Sequence, residues 1–356
     1  MHDIVHVGCN HLLLNVEVTM SNPYEIDIAM QPQAVTAQLE NALPESLKDV
    51  KLEEYDRIVL AGMGSSDYAL IPVERALISK GYPVWRIDAG RLLDMPNLIT
   101  DNTLLWATSQ SGMSGEIVAL LEKGKKPKTL IGLTNDEESV LAKNADILIT
   151  LKSGDEATVS SKSYLNTLIA CYRTLAVLLG ADDKGVCASV SATVSDIAKL
   201  VKEKNIVDQY ADRLFTFTQP RVAYIATGSY SSSALTAALI TKEASKVSAE
   251  GFIGGEFRHG PLETSGNGML AVLIGKPRDE TLEKLASELV ANGTDVVTIG
   301  EKSFAGSALL PVPARDELSQ LLCGFIYIEH LTVALARNNG FVAGQFLYGK
   351  KITVAV

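Results

Sequence analysis

Three stretches of the chain concentrate side chains that could bind or react. Gly62-Met63-Gly64-Ser65-Ser66-Asp67 follows the apolar run 57–61. Ser109-Gln110-Ser111-Gly112-Met113-Ser114-Gly115-Glu116 follows the run 103–108 and leads into the helix-like IVALLEKG. Glycine lets backbone approach a ligand closely, amides at a helix start point outward, and serine hydroxyls add donors, so such loops suit phosphate oxygens. Serine and glycine also cap helices and make turns with no ligand involved; it is the recurrence of the pattern on successive strands that favours a phosphate site. The third stretch, EGFIGGEFRHGPLE (250–263), gathers glycines, carboxylates, Arg258 and His259 around Gly260-Pro261, and no core segment has that composition.

These loops need a scaffold, and the surrounding pattern supplies one. Compact apolar runs such as RIVLA (57–61), TLLWAT (103–108) and KTLIGLT (128–134) alternate with helix-like stretches of Ala, Leu, Glu and Lys. That alternation predicts an α/β fold of parallel strands with crossover helices, and loops at the carboxyl ends of strands are where such sheets hold ligands. The pattern also repeats. RIVLAGMGSS (57–66) and RVAYIATGSY (221–230) align without a gap, and the same offset carries LWATSQS (105–111) onto MLAVLIG (269–275). In the second half the loop after that run is Gly275-Lys-Pro-Arg-Asp279, without serines. The chain therefore divides into an N-terminal extension and helical arm (1–52), two related α/β units (53–200 and 201–340) and a tail (341–356). Residues 163–215 carry helical patterning, with Gly180 a candidate C-cap.

At 356 residues and 47% hydrophobic, the chain can bury a large core. No run of about 18 apolar residues lacks a charge, and residues 1–19 have no secretory pattern. A soluble, cytoplasmic protein is expected, with no membrane partner. Its net charge of −10 and lack of a basic stripe argue against nucleic acid. Cys9, Cys171, Cys187 and Cys323 are scattered without metal-ligand spacing and read as buried thiols; His2, His6 and His11 lack a completing ligand set. Neither metal nor cofactor is expected. Residues 1–19 resemble neither half and read as an upstream extension, with Met20 a plausible start.

The residues resemble a known family. SQSGMSGE (109–116) is similar to the phosphate loop of sugar isomerase (SIS) domain proteins. GEFRHGPLE (255–263) is similar to a motif in the isomerase module of glucosamine-6-phosphate synthase and in the fructosamine-6-phosphate deglycases. The resemblance covers residues 25–356 and implies two SIS domains, each a parallel sheet flanked by helices. It assigns Ser109, Gln110, Ser111 and Ser114 to the sugar phosphate, with Gly64 and Ser65 beside them. Ser160 in TVSSKSY takes a further sugar contact, and Lys350 in YGKKITV a tail lysine that closes over the sugar. Glu243 in ITKEASK matches the acid/base glutamate, and His259 the histidine of ring opening, which in this family reaches into the partner subunit's site and so implies a homodimer.

Two departures refine the implication. No glutaminase unit with a nucleophilic cysteine precedes the repeat, so glutamine-driven amination is not expected. The lysine of the synthase helix corresponds to Ile240, which leaves Schiff-base chemistry there without an amine. Moving a carbonyl between C1 and C2 needs only ring opening and proton transfer, which a carboxylate and an imidazole can perform. The favoured expectation is a deglycase that splits a 6-phosphorylated ketosamine into glucose 6-phosphate and an amine. An amino-sugar-phosphate isomerase or deaminase is the enzymatic alternative, and a non-catalytic sugar-phosphate-binding regulator the alternative of another class. Only 16 positions separate Glu243 from His259, with Gly251, Gly254 and Gly255 between them, so a turn is expected to bring His259 back toward the helix of Glu243.

Overall fold

A computed structural model describes residues 22–313 and 315–353. The readings on residues 1–19, including Cys9 and the three histidines, lie outside them. The first half contains β1 (Arg57–Gly62), β2 (Val84–Asp88), β3 (Thr103–Thr108), β4 (Thr129–Thr134) and β5 (Ile147–Thr150). The second contains β6 (Arg221–Ala226), β7 (Ser248–Ile253), β8 (Met269–Ile274), β9 (Asp295–Gly300) and β10 (Ala308–Pro311). Each set forms a five-stranded, wholly parallel sheet, ordered β2-β1-β3-β4-β5 and β10-β9-β8-β6-β7. Read from the other edge, the second order repeats the first, so the alignment of 57–66 with 221–230 reflects a shared topology. Every residue of β3 and β8 is buried, the condition of a central parallel strand covered by helices on both faces.

Four helices matter for the site: α1 (Gly115–Lys123), α2 (Lys162–Leu178), α3 (Ser231–Ser245) and α4 (Glu317–Asn338). The helix α2 joins the halves. Its Leu165 and Leu168 pack into the core containing Tyr224 and Val272, whereas its Ala170, Cys171 and Leu175 pack into the core containing Leu60 and Trp106. Gly180 lies just beyond its end with φ of 82°, and the Gly180 and Ala181 amides donate to Val177 and Ala176, as the predicted glycine cap requires. Among the described residues α4 is the helix long and apolar enough to cross a membrane. Here 94% of its most apolar window is buried, as in the core helix of a globular unit. Truncating one of its fully buried leucines, Leu322 or Leu335, to alanine costs about 2–5 kcal/mol.

Asn22 caps Pro23–Ala29 by accepting from the Tyr24 amide, and a second helix, Gln31–Glu40, packs on α2. A buried ion pair, Asp27 to Lys162 at 2.9 Å, ties the arm to the start of α2.

Candidate active site

A cavity of about 290 Å³ opens where the loops after β1 and β3 meet α3 and the C-terminal tail. The topology places it there. The strand order reverses between β1 and β3, and the two loops leaving that point diverge to leave a crevice at the carboxyl edge of the sheet. Gly64, Ser65, Ser109, Gln110, Ser111, Ser114, Ser160 and Glu243 all line the cavity, so eight of the sequence-predicted site residues come together.

Local bonding orients the hydroxyls. Ser109 Oγ accepts from the Gly112 amide at 3.1 Å and lies 3.3 Å from Ser114 Oγ, while Ser111 Oγ accepts from the Met113 amide at 3.2 Å. A serine oxygen that accepts from backbone keeps its own proton to donate, and several such protons converging suit an anion. The Gln110 carbonyl is held by the Asn135 amide and Thr134 Oγ1, which anchors the loop to the end of β4. Ser114 is the N-cap of α1, and the Gly115 amide donates to the Thr353 carbonyl at 2.9 Å, so the tail lies across the start of this helix.

From the second half, α3 presents Leu239 and Glu243 to the cavity, four residues apart and therefore on one helix face. Burial pushes the Glu243 carboxyl up to about 7, against the opposing influence of Lys351, Lys246 and Lys242, and Glu156 adds to the rise. A carboxyl so placed can take or give a proton near neutrality. Ile240, three residues before Glu243 on the same helix, is fully buried in the core, so no amine stands there.

Two expected residues fall elsewhere. Lys351, not Lys350, lines the cavity: Lys351 Nζ donates to Glu156 Oε2 at 2.8 Å and to the Thr158 carbonyl at 2.7 Å, while Lys350 is exposed. His259 is exposed and not among the lining residues. The segment between Glu243 and His259 does not fold back as a turn; it contains β7, whose six residues carry the chain roughly 20 Å across the sheet. Glu243 lies near the amino edge of the second sheet and His259 follows the carboxyl end of β7. Gly251, read as a turn residue, sits within β7 because α3 packs there, and a Cβ would stand 2.9 Å from the Ala234 carbonyl and the Leu235 Cα. Around His259, Glu256 Oε2 accepts from the Ile253 amide at 3.0 Å and Arg258 pairs with Glu288 at 2.9 Å.

Glu156 is a lining residue that the sequence pattern does not reveal. It accepts from the Ser161 and Ser163 amides (2.9 and 3.0 Å), from both of their hydroxyls (3.1 and 2.6 Å), and from Lys351. Burial alone would raise its pKa, but the Lys351 charge and these hydrogen bonds outweigh burial and hold the carboxyl below its ordinary range. The same bonds fix the loop that carries Ser160, whose Oγ lies 3.1 Å from Ser163 Oγ.

Comparison with known proteins is consistent with this architecture. Residues 51–177 and 217–305 match the SIS domain family. The isomerizing glutamine–fructose-6-phosphate aminotransferase of Methanocaldococcus jannaschii is 27% identical over 307 residues, spanning 83% of this chain and 28% of that protein. Its counterpart from Pyrococcus horikoshii is 29% identical over 289 residues, spanning 77% of this chain and 47% of that protein. The chain thus spans less than half of either relative. Among solved structures, the C-terminal domain of glucosamine-fructose-6-phosphate aminotransferase from Francisella tularensis superposes with a TM-score of 0.81 at 20% identity, covering 92% of this chain and 99% of that one.

Proposed function

The chain belongs to the SIS domain family, and from that premise we propose that it is a sugar-phosphate enzyme, most specifically a deglycase acting on a 6-phosphorylated ketosamine. One observation carries the reading: Glu243, with a carboxyl poised near neutrality, shares a cavity with the hydroxyls of Ser109, Ser111 and Ser114. The serine loop holds the C6 phosphate, and Ser65 and Ser160 contact the sugar. In the open-chain ketosamine, Glu243 removes a proton from C1 and the pair of electrons moves toward the C2 carbonyl, giving an enaminol. Return of the proton to C2 leaves an imine at C1. Water adds to that carbon, the C1–N bond breaks, and glucose 6-phosphate and a free amine result. No external oxidant or amine donor is needed, in keeping with an isoleucine at position 240.

Lys351, held by Glu156, takes the role of a tail lysine over the sugar, in place of Lys350. His259 opens the ring from a second copy of the chain: its exposure and its position outside its own cavity support a homodimer in which each copy completes the other's site. Isomerisation or deamination of an amino-sugar phosphate is the second reading, favoured by the activity named in the two aminotransferase relatives. The test incubates the protein with fructoselysine 6-phosphate, fructoseasparagine 6-phosphate, glucosamine 6-phosphate, and fructose 6-phosphate plus ammonia. Glucose 6-phosphate released from a ketosamine is the expected result. Fructose 6-phosphate and ammonia from glucosamine 6-phosphate would replace the deglycase reading with the deaminase, and binding without turnover would replace both with a regulator.

A further inference from the structure

A second cavity of about 430 Å³ lies on the other side of Glu243. It is lined by Lys242, Glu243, Lys246, Val247, Ser248 and residues 346–349 of the tail, and it shares Glu243 and Phe346 with the serine-lined cavity. The two spaces are therefore in series, with the proposed acid/base residue in the wall between them.

The second space differs in chemistry from the first. Its only carboxylate is Glu243, and it holds two lysines within a chain whose net charge is −10. Lys246 has left-handed backbone at the end of α3, and its ammonium donates to the carbonyls of Glu243 and Gln345. Those acceptors are neutral dipoles, so they orient the ammonium without cancelling its charge. Lys242 is exposed one turn earlier, and among the described residues neither lysine has a carboxylate within ion-pair distance. Leu347 and the fully exposed Tyr348 give the rim an apolar side.

We propose that this second cavity holds the amine half of the substrate, an amino acid whose carboxylate lies against the ammonium groups of Lys242 and Lys246. The inference rests on the deglycase reading and adds the leaving group's identity and place. It follows from linear order. In a 6-phosphorylated ketosamine the phosphate is at one end, C1 and C2 at the other, and the amine lies beyond C1. Serine loop, Glu243 and lysine-lined space run in the same sequence, so a substrate with its phosphate on the serines and C1 at Glu243 projects its nitrogen substituent into the second cavity. An anion there meets two ammonium groups that form no close ion pair, and a neutral substituent meets only the rim.

The experiment compares the 6-phosphates of fructosyl-glycine and fructosyl-glycinamide, which differ in one carboxylate. A charge-assisted contact predicts a kcat/KM for the glycine conjugate about tenfold or more above that of the amide, carried in KM. In Lys242→Gln that ratio is expected to fall toward one, and in Lys242→Glu below one; both changes are on an exposed helix position that the fold tolerates. Lys246→Arg, which keeps the charge and the carbonyl contacts, retains the preference. Equal kcat/KM for the two conjugates in the unaltered protein, with both cleaved, would overturn the subsite while leaving the deglycase standing. If neither conjugate yields glucose 6-phosphate, the deglycase reading fails, and calorimetric titration of the same pair decides the subsite alone: tighter glycine conjugate upholds it, equal or absent binding removes it.

Discussion

The two halves of this SIS protein share one topology and differ at the same point of it. In the first, the loops after β1 and β3 diverge and leave serine hydroxyls facing open space. In the second, the loops after β6 and β8 close on each other. Thr227 Oγ1 donates to Asp279 at 2.6 Å, Gln320 Nε2 donates to the Gly275 carbonyl at 2.9 Å, and Tyr230 donates to Gln320 Oε1 at 3.0 Å. Asp279 also caps the helix Glu280–Ala291 by accepting from the Thr281 and Leu282 amides. Gly275 leaves room there for a Leu282 methyl, which a Cβ would approach to 2.4 Å. The reversal of strand order offers a crevice in both halves. Whether it binds anything is decided by a few loop side chains: where they bridge one loop to another the crevice is structural, and where they bond only within their own loop, as Ser109, Ser111 and Ser114 do, it keeps donors for a ligand. The second half instead contributes α3, whose end carries Glu243 to the first crevice.

The strongest test of this division of labour is Glu243→Gln. If the second half supplies the reacting group and the first the binding, kcat falls about 10²–10⁴-fold while affinity for the sugar phosphate stays within about threefold. Steady-state kinetics and calorimetry on the same preparation measure both. Unchanged turnover would remove Glu243 from the chemistry and leave α3 a structural element.

A matched pair of substitutions sharpens the contrast between the crevices. Ser111→Ala removes a hydroxyl from the open one and is expected to weaken phosphosugar binding about tenfold with little change in stability. Thr227→Val removes a hydroxyl from the closed one and should lower unfolding free energy by about 1 kcal/mol while leaving binding intact. Titration and thermal denaturation of both variants read the result. If Thr227→Val weakened binding as much as Ser111→Ala, the second crevice would also have to be a ligand site.

Much of this contrast is legible in the sequence. The strands declare themselves because buried parallel strands must be continuously apolar, and the serine loop because hydroxyls and glycines concentrate where a core residue would otherwise stand. The loss of serines after β8 is legible too, although the Thr227–Asp279 bond that closes the crevice spans 52 positions and has no local signal. Glu156 is hidden for a similar reason. GDEATVSSKS reads as an exposed polar loop, yet its glutamate is 8% exposed, and only the spacing of Ser161 and Ser163 hints at the donors that enclose it. Adjacent lysines 350 and 351 are equivalent as letters; the buried carboxylate that selects Lys351 decides between them. The misplaced turn before His259 arose from Gly251, which serves helix–strand contact rather than chain reversal.

The tail supplies a final asymmetry, because it crosses the first crevice and there holds Lys351 near Glu243. A base must be ionised to act, so kcat/KM should rise with pH through about 7, the value to which burial pushes Glu243. Lys351 opposes that rise, since a nearby cation favours the carboxylate. Lys351→Met removes the cation, and the ascending limb should therefore move to higher pH, by roughly half a unit to one unit given the screening at a partly open site. Lys350→Met, on an exposed neighbour, should leave the limb where it is. The pH dependence of kcat/KM for the three proteins reads this directly. A limb that moved to lower pH in Lys351→Met, or that moved equally in Lys350→Met, would mean that the tail acts by covering the cavity and not through one charge.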